Sequence, residues 1–139
     1  GNAALMSARK ALDVLPAENT FERAEATLIE TTALQMLGEI SEARNFIHTA
    51  LERSKDEPAQ LRARLLMSAC YMHWMSGDLR DLRRNADALL SLAQTASLPN
   101  ALVHACWFSG AASYQMNDLK TAAEVVKTIT ATRWWPHHR

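Results

Sequence analysis

The sequence predicts an all-α protein, an α-α superhelix in which about seven helices stack in pairs as a solenoid with a period of 39 to 40 residues. Three observations predict it. A turn residue followed at fixed offsets by small or apolar residues occurs three times: Gly38, Ile40, Ala43, Ile47 and Ala50; Gly77, Leu79, Leu82, Ala86 and Leu89; Asn117, Leu119, Ala122, Val126 and Ile129. Self-similarity at that spacing marks repeat architectures, whose helix pairs bury their apolar faces only against their neighbours. Four prolines and four glycines are few for 139 residues, while Ala, Leu, Met, Glu, Arg and Gln abound, which favours helix nearly throughout. No segment carries a convincing strand pattern.

The first element, 3–15, places Leu5, Ala8, Leu12 and Leu15 at helical spacing and is stopped by Pro16. It reads as the second helix of a preceding unit. Asn19 or Thr20 can cap the next helix, because a short polar side chain accepts a hydrogen bond from an otherwise unpaired amide. That helix runs to Leu37, and Gly38 supplies the left-handed residue that ends it. The third helix runs from Ile40 to about Ser54 and closes at Lys55-Asp56-Glu57-Pro58. The second unit comprises 59–76, a Gly77-Asp78 turn in which Asp78 can cap, and 79–96. Leu98-Pro99-Asn100 separates it from 101–116, the Asn117-Asp118 turn and 119–132. The whole reads as one helical-repeat domain over 1–139, with repeats at 19–55, 59–96 and 100–132. The missing initiator methionine and the abrupt stop after Trp134-Trp135-Pro136-His137-His138-Arg139 lead us to expect a piece of a longer protein.

A chain of this length can bury a core without a disulfide or metal staple. Lysine plus arginine equals aspartate plus glutamate at 15 each, so no whole-chain field draws in nucleic acid or an anionic membrane. Cys70 and Cys106 sit among apolar residues on expected helices and read as reduced core thiols. No apolar run approaches a membrane span and no secretory leader pattern opens the chain, so we expect a soluble, cytoplasmic protein.

The Gly-Asp-Leu and Asn-Asp-Leu turns, each followed by alanine or an aliphatic residue, resemble the tetratricopeptide repeat, whose usual unit is roughly 34 residues. The units here are longer. Gly110 falls seven residues before Asn117, where that repeat wants a small residue for close helix approach, and Cys70 and Thr31 hold the matching places. Ala11-Leu12-Asp13-Val14-Leu15-Pro16, Ser76-Gly77-Asp78-Leu79, Leu89-Leu90-Ser91-Leu92-Ala93 leading to Leu98-Pro99, and the run from Gly110 to Ala122 sharpen the likeness. Together they resemble the helical repeat region of MalT-like, LuxR-type transcriptional activators. That family sets a nucleotide-binding module before the array and a DNA reader after it, and the array receives an inducer or partner and permits self-association. No Gly-x-x-x-x-Gly-Lys-Ser/Thr loop occurs here and the chain is too neutral to carry a DNA reader, so direct contact with nucleic acid is not expected.

The tetratricopeptide resemblance implies that the first helix of each unit lines a concave face. Carried over by position, that face holds Glu25, Leu28, Thr32, Gln35 and Met36; then Arg64, Met67, Tyr71, Trp74 and Met75; then His104, Trp107, Ala111, Tyr114 and Gln115. Four of the six Trp and Tyr residues fall on it, and Gln35, Arg64, Tyr71, Trp74, His104, Trp107, Tyr114 and Gln115 are the candidate ligand or partner contacts. Two readings stand. In one the aromatic faces and polar groups form a groove for a small polar inducer or an extended peptide. In the other Tyr71, Trp74 and Trp107 fill the seam between successive first helices.

The remaining candidates read as structural. The five histidines show no zinc spacing, and neither a metal nor a cofactor is expected. Met6, Met36, Met67, Met72, Met75 and Met116 read as core gap-fillers, and Arg80, Arg83 and Arg84 with Asp78 and Asp81 as a solvated face. Trp134 and Trp135 read as packing against a following helix. An enzyme needs a nucleophile and base in one cleft, but His104 and Cys106 point to different sides of a helix, and Cys70 and His73 lie on its packing face. The expectation is a non-catalytic sensor or scaffold of a LuxR-type regulator, with a free-standing adaptor for a partner peptide as the alternative.

Overall fold

The computed structural model describes residues 1–131 and gives seven helices there, with no strand among the described residues. They are α1 Asn2–Val14, α2 Thr20–Met36, α3 Ile40–Arg53, α4 Ala59–Ser76, α5 Leu79–Thr95, α6 Pro99–Gln115 and α7 Leu119–Ala131. The expected packing of Trp134 and Trp135, like His137 and His138, lies outside the described residues. Among those residues, no helix is long and apolar enough to cross a membrane.

The two helices of each pair bury different amounts of their surface. In α3 only Ala43 and Ile47 are buried, and in α5 Leu82, Ala86, Leu89 and Ala93 are, so each packs through one stripe. In α4 every residue from Leu65 to Cys70 is buried, as are Ala63, Met72 and His73. A helix covered on more than one side needs several neighbours, and α4 has them in α2, α3, α5 and α6. It contributes Leu65, Ala69 and Met72 to a core with α2 and α3, and Ala63, Leu66 and Met67 to one with α5 and α6. Its Cys70 joins Leu82, Ala86, Phe108 and Ala112 in a third. The first helices touch in sequence, α2 on α4 and α4 on α6, while α3 and α5 fill the grooves behind them.

Four helices end alike. After α2, α4, α5 and α6 the chain turns through a left-handed residue, Gly38, Gly77, Ser97 and Asn117 respectively. The amide of the following residue reaches back five positions, as from Asp78 to His73 (2.9 Å) and Asp118 to Ser113 (2.8 Å), closing a Schellman motif. The expected caps at Asn19, Thr20 and Asp78 do not form, since α2 and α5 start without a side-chain cap bond. Asp78 is drawn instead to Arg44 of α3. Asp118 does cap, accepting from the Thr121 amide at 3.2 Å.

An arginine recurs at one register position of the second helices and ties each to the turn of the next pair. Arg44 pairs with Asp78, and Arg83 Nη1 donates to Asp118 Oδ2 at 3.2 Å. In α1 the same position is Arg9, which donates to Glu30 at 2.9 Å and Glu42 at 2.6 Å. One residue of the face expected to be merely solvated thus joins two helix pairs, since Arg83 reaches the next turn, while Arg84 pairs with Asp81 within α5. The methionine reading is corrected in the same way. Met67 and Met72 are buried, but Met6, Met36, Met75 and Met116 are exposed, because helical spacing alone does not say which side of a helix a neighbour will cover.

Two glycine replacements are expected to act in opposite directions. Gly77 sits at φ 74°, where a side chain is strained, so Gly77→Ala should lower unfolding stability by about 1 kcal/mol. A Cβ at Gly110 would meet only Val125 Cγ1 at 3.7 Å, an ordinary contact. Gly110→Ala should therefore raise stability by up to about 1 kcal/mol through helix propensity. Urea titrations of both variants check the pair.

Candidate functional site

The candidate site is the face of α2, α4 and α6 that the second helices leave uncovered. At its near end Glu25, Arg64 and His104 hold the same register position in three successive units. Arg64 pairs with the Glu25 carboxylate and places its guanidinium carbon 5.7 Å from the Phe21 ring centroid. Burial pushes the His104 pKa below its ordinary value, and the neighbouring charge of Arg64 pushes it the same way, so His104 is neutral at pH 7. It makes no hydrogen bond among the described residues, leaving one donor and one acceptor free.

The middle of the face is aromatic. Trp74 of α4 meets Trp107 of α6 edge-on at 5.1 Å between centroids, Trp107 meets Phe108 at 4.9 Å, and Phe108 meets Tyr71 at 4.9 Å. This continuous run crosses the α4–α6 joint with Phe108 as its buried centre. Trp74 keeps 38% and Trp107 43% of their surface exposed. The rings therefore pack on each other across the seam, as the second sequence reading has it, and still present open area.

The other candidates separate. Gln35 is not presented on the face: its amide nitrogen donates to the Met72 carbonyl at 2.7 Å, and the side chain is buried between α2 and α4. Tyr114 is 69% exposed, Gln115 is also exposed, and neither side chain makes a ring contact or hydrogen bond among the described residues. The structure thus joins Arg64 to His104 electrostatically and joins Trp74, Trp107 and Tyr71 by contact, while Gln35 belongs to the core. Sequence reasoning missed Phe108, the centre of the run, and Phe21. Glu25 was placed on the face, and its position exactly one period before Arg64 was the signal for their pairing.

A cleft of about 470 Å³ opens away from this face, bounded by α1, α2, α3 and the start of α4. Among the described residues no three His, Cys, Asp or Glu side chains converge as metal ligands. No family model matches this chain, and no curated protein or solved structure matches it either.

Cys70 and His73 lie apart from the face, on the buried side of α4. Burial, with a smaller contribution from Asp87, pushes the Cys70 thiol up to about 12, and burial also raises Cys106. Both should resist iodoacetamide at pH 8 in the folded protein and react fully in denaturant, as read by mass spectrometry. His73 is wholly buried, with neither ring nitrogen hydrogen-bonded and Nδ1 3.6 Å from Asp78 Oδ2.

Desolvation lowers the His73 pKa below 6.5, against the upward pull of Asp81 and Asp78, while Arg44 adds to the lowering. The unfolded chain therefore takes up its proton first, and stability should fall as pH drops below about 6.5, fully present above it. Melting temperatures from pH 8 to pH 5 should show that decline. It should be shallower in His73→Leu, and an unchanged slope would place the sensitivity elsewhere.

Proposed function

We propose that this chain is the sensor or scaffold region of a LuxR-type, MalT-like transcriptional regulator. On this reading it is a tetratricopeptide-like superhelix without catalysis of its own, binding an inducer or partner protein on the α2–α4–α6 face. The observation that carries the reading is the Trp74–Trp107 pair, held edge-on across the joint of two units yet more than one third exposed on each ring. A contiguous aromatic surface of this kind, beside a neutral histidine with free hydrogen-bonding capacity, suits a molecule with a flat apolar face and polar edges. Support for the superhelix comes from the successive first-helix contacts, the recurring left-handed turns and the arginine repeated at one register position. Buried free thiols accord with a reducing, cytoplasmic setting.

The site suggests how occupancy becomes a signal. The two tryptophans belong to different units, so a ligand stacked on both favours one spacing of α4 and α6 over others. A population shifts only by that difference in affinity. In the parent protein the selected arrangement would permit self-association. The adaptor alternative loses ground because the charge of Arg64 is already matched by Glu25, leaving no free cationic clamp for a peptide carboxylate on the described part of the face.

A thermal-shift screen against sugars, nucleotides, amino acids and short peptides tests the reading. A ligand at a hundred times its Kd stabilises the folded form by about 2.7 kcal/mol, which raises the melting temperature by several degrees. A hit should disappear in both Trp74→Ala and Trp107→Ala while the variants remain helical by circular dichroism. A hit indifferent to both would move binding off this face, and silence from the folded protein would remove the small-molecule inducer.

A further inference from the structure

We propose that the cleft among α1, α2 and α3 is a second ligand site, for a small zwitterionic molecule with an apolar side chain, such as a branched or aromatic amino acid. Its origin lies in the repeat register. Positions 27, 50 and 53 of the first unit correspond, 39 residues on, to Leu66, Leu89 and Leu92 of the second. There Leu66 and Leu89 are buried in the core and Leu92 packs against them. In the first unit the three places hold Thr27, Ala50 and Arg53, and the cleft of about 470 Å³ is lined by all three. That volume lies within the range of small-molecule sites, roughly 300–1,000 Å³.

The lining fits one ligand chemistry. Leu12, Phe46, Leu61 and Leu65 supply apolar walls from three different helices. Charges of both signs stand on the same lining: Asp13, Arg53 and Glu57, none of which has an ion-pair partner among the described residues. Arg23 joins them with its Nη1 committed to the carbonyls of Leu12 (2.9 Å) and Leu15 (2.7 Å), so that guanidinium is fixed in place. A simple anion would face two carboxylates and a simple cation two guanidiniums. A zwitterion meets both, with its carboxylate toward Arg53, its ammonium toward Asp13 or Glu57, and its side chain in the space that leucines fill in the next unit.

Isothermal titration of the 139-residue chain with L-leucine and L-phenylalanine tests the assignment, with 4-methylpentanoate and isoamylamine as analogues of leucine lacking one charge each. Saturable binding of at least one amino acid is expected, with each leucine analogue about tenfold or more weaker than leucine, the loss of one charged hydrogen bond. Thr27→Leu combined with Ala50→Leu should abolish binding without lowering the melting temperature, since it installs the residues of the second unit. Arg53→Leu should weaken binding by about tenfold or more. Trp74→Ala with Trp107→Ala should leave it unchanged, which separates this site from the aromatic face. No binding of either amino acid at millimolar concentration would overturn the proposal, as would a filled variant that binds like the parent. If the filled variant does not fold, the Arg53→Leu result decides alone.

Discussion

The structure depends on the burial of α4 on every side but the one that carries Arg64, Trp74 and Met75. A helix with one apolar stripe can lie on a surface, but α4 hides Leu65, Leu66, Met67, Ala69, Cys70 and Met72 in different directions and supplies all three cores. No single partner can satisfy it. The helices α2 and α3 on one side and α5 and α6 on the other must all be present to cover it. At the other extreme α7 contacts only α6 among the described residues, and Val126, in register with the buried Ile47 and Ala86, is exposed. The same arrangement makes the candidate face. Setting α2, α4 and α6 side by side, with α3 and α5 behind, leaves their common front uncovered.

Apolar burial alone does not fix how far one pair slides along the next. The polar contacts that can do so are regularly placed: Arg44 with Asp78, Arg83 with Asp118, and Gln35 with the Met72 carbonyl. Partly exposed ion pairs are screened and add little to stability, so their value is in choosing one stagger among several with similar burial. Drawing Asp78 to Arg44 has a local cost, because the carboxylate no longer caps α5. The Schellman turn before it compensates, ordering the junction through backbone bonds that need no side chain.

Much of this was legible in the sequence, and the exceptions share a cause. The turn residues Gly38, Gly77 and Asn117 announced both the period and the ends of three helices, since left-handed backbone is a local demand with a narrow choice of residue. Helix bounds agree within one or two residues at most ends, and Pro99 opens α6 where a boundary loop was expected, as proline at a first helical position often does. What the sequence concealed was direction. Helical spacing does not say which side of α2 or α4 a neighbour will cover and so cannot orient Met36 or Met75, nor show that Gln35 turns inward to a carbonyl 37 residues away. The aromatic residues were placed on the correct helices, but their joining through Phe108 needed the α4–α6 contact itself.

Comparing units by volume as well as by polarity exposes what the period hides. The pattern of turn and small residues is alike in the first two units, yet Thr27, Ala50 and Arg53 stand where Leu66, Leu89 and Leu92 close the next interface. The three cores are closed by largely different residues, so one joint can be opened without disturbing the others. The two proposed sites then have a common logic. The aromatic pair spans the joint of α4 and α6, and the cleft spans that of α1, α2 and α3, so each lies between units and not within one. Under both proposals an occupant touches more than one helix pair and so bears on their spacing.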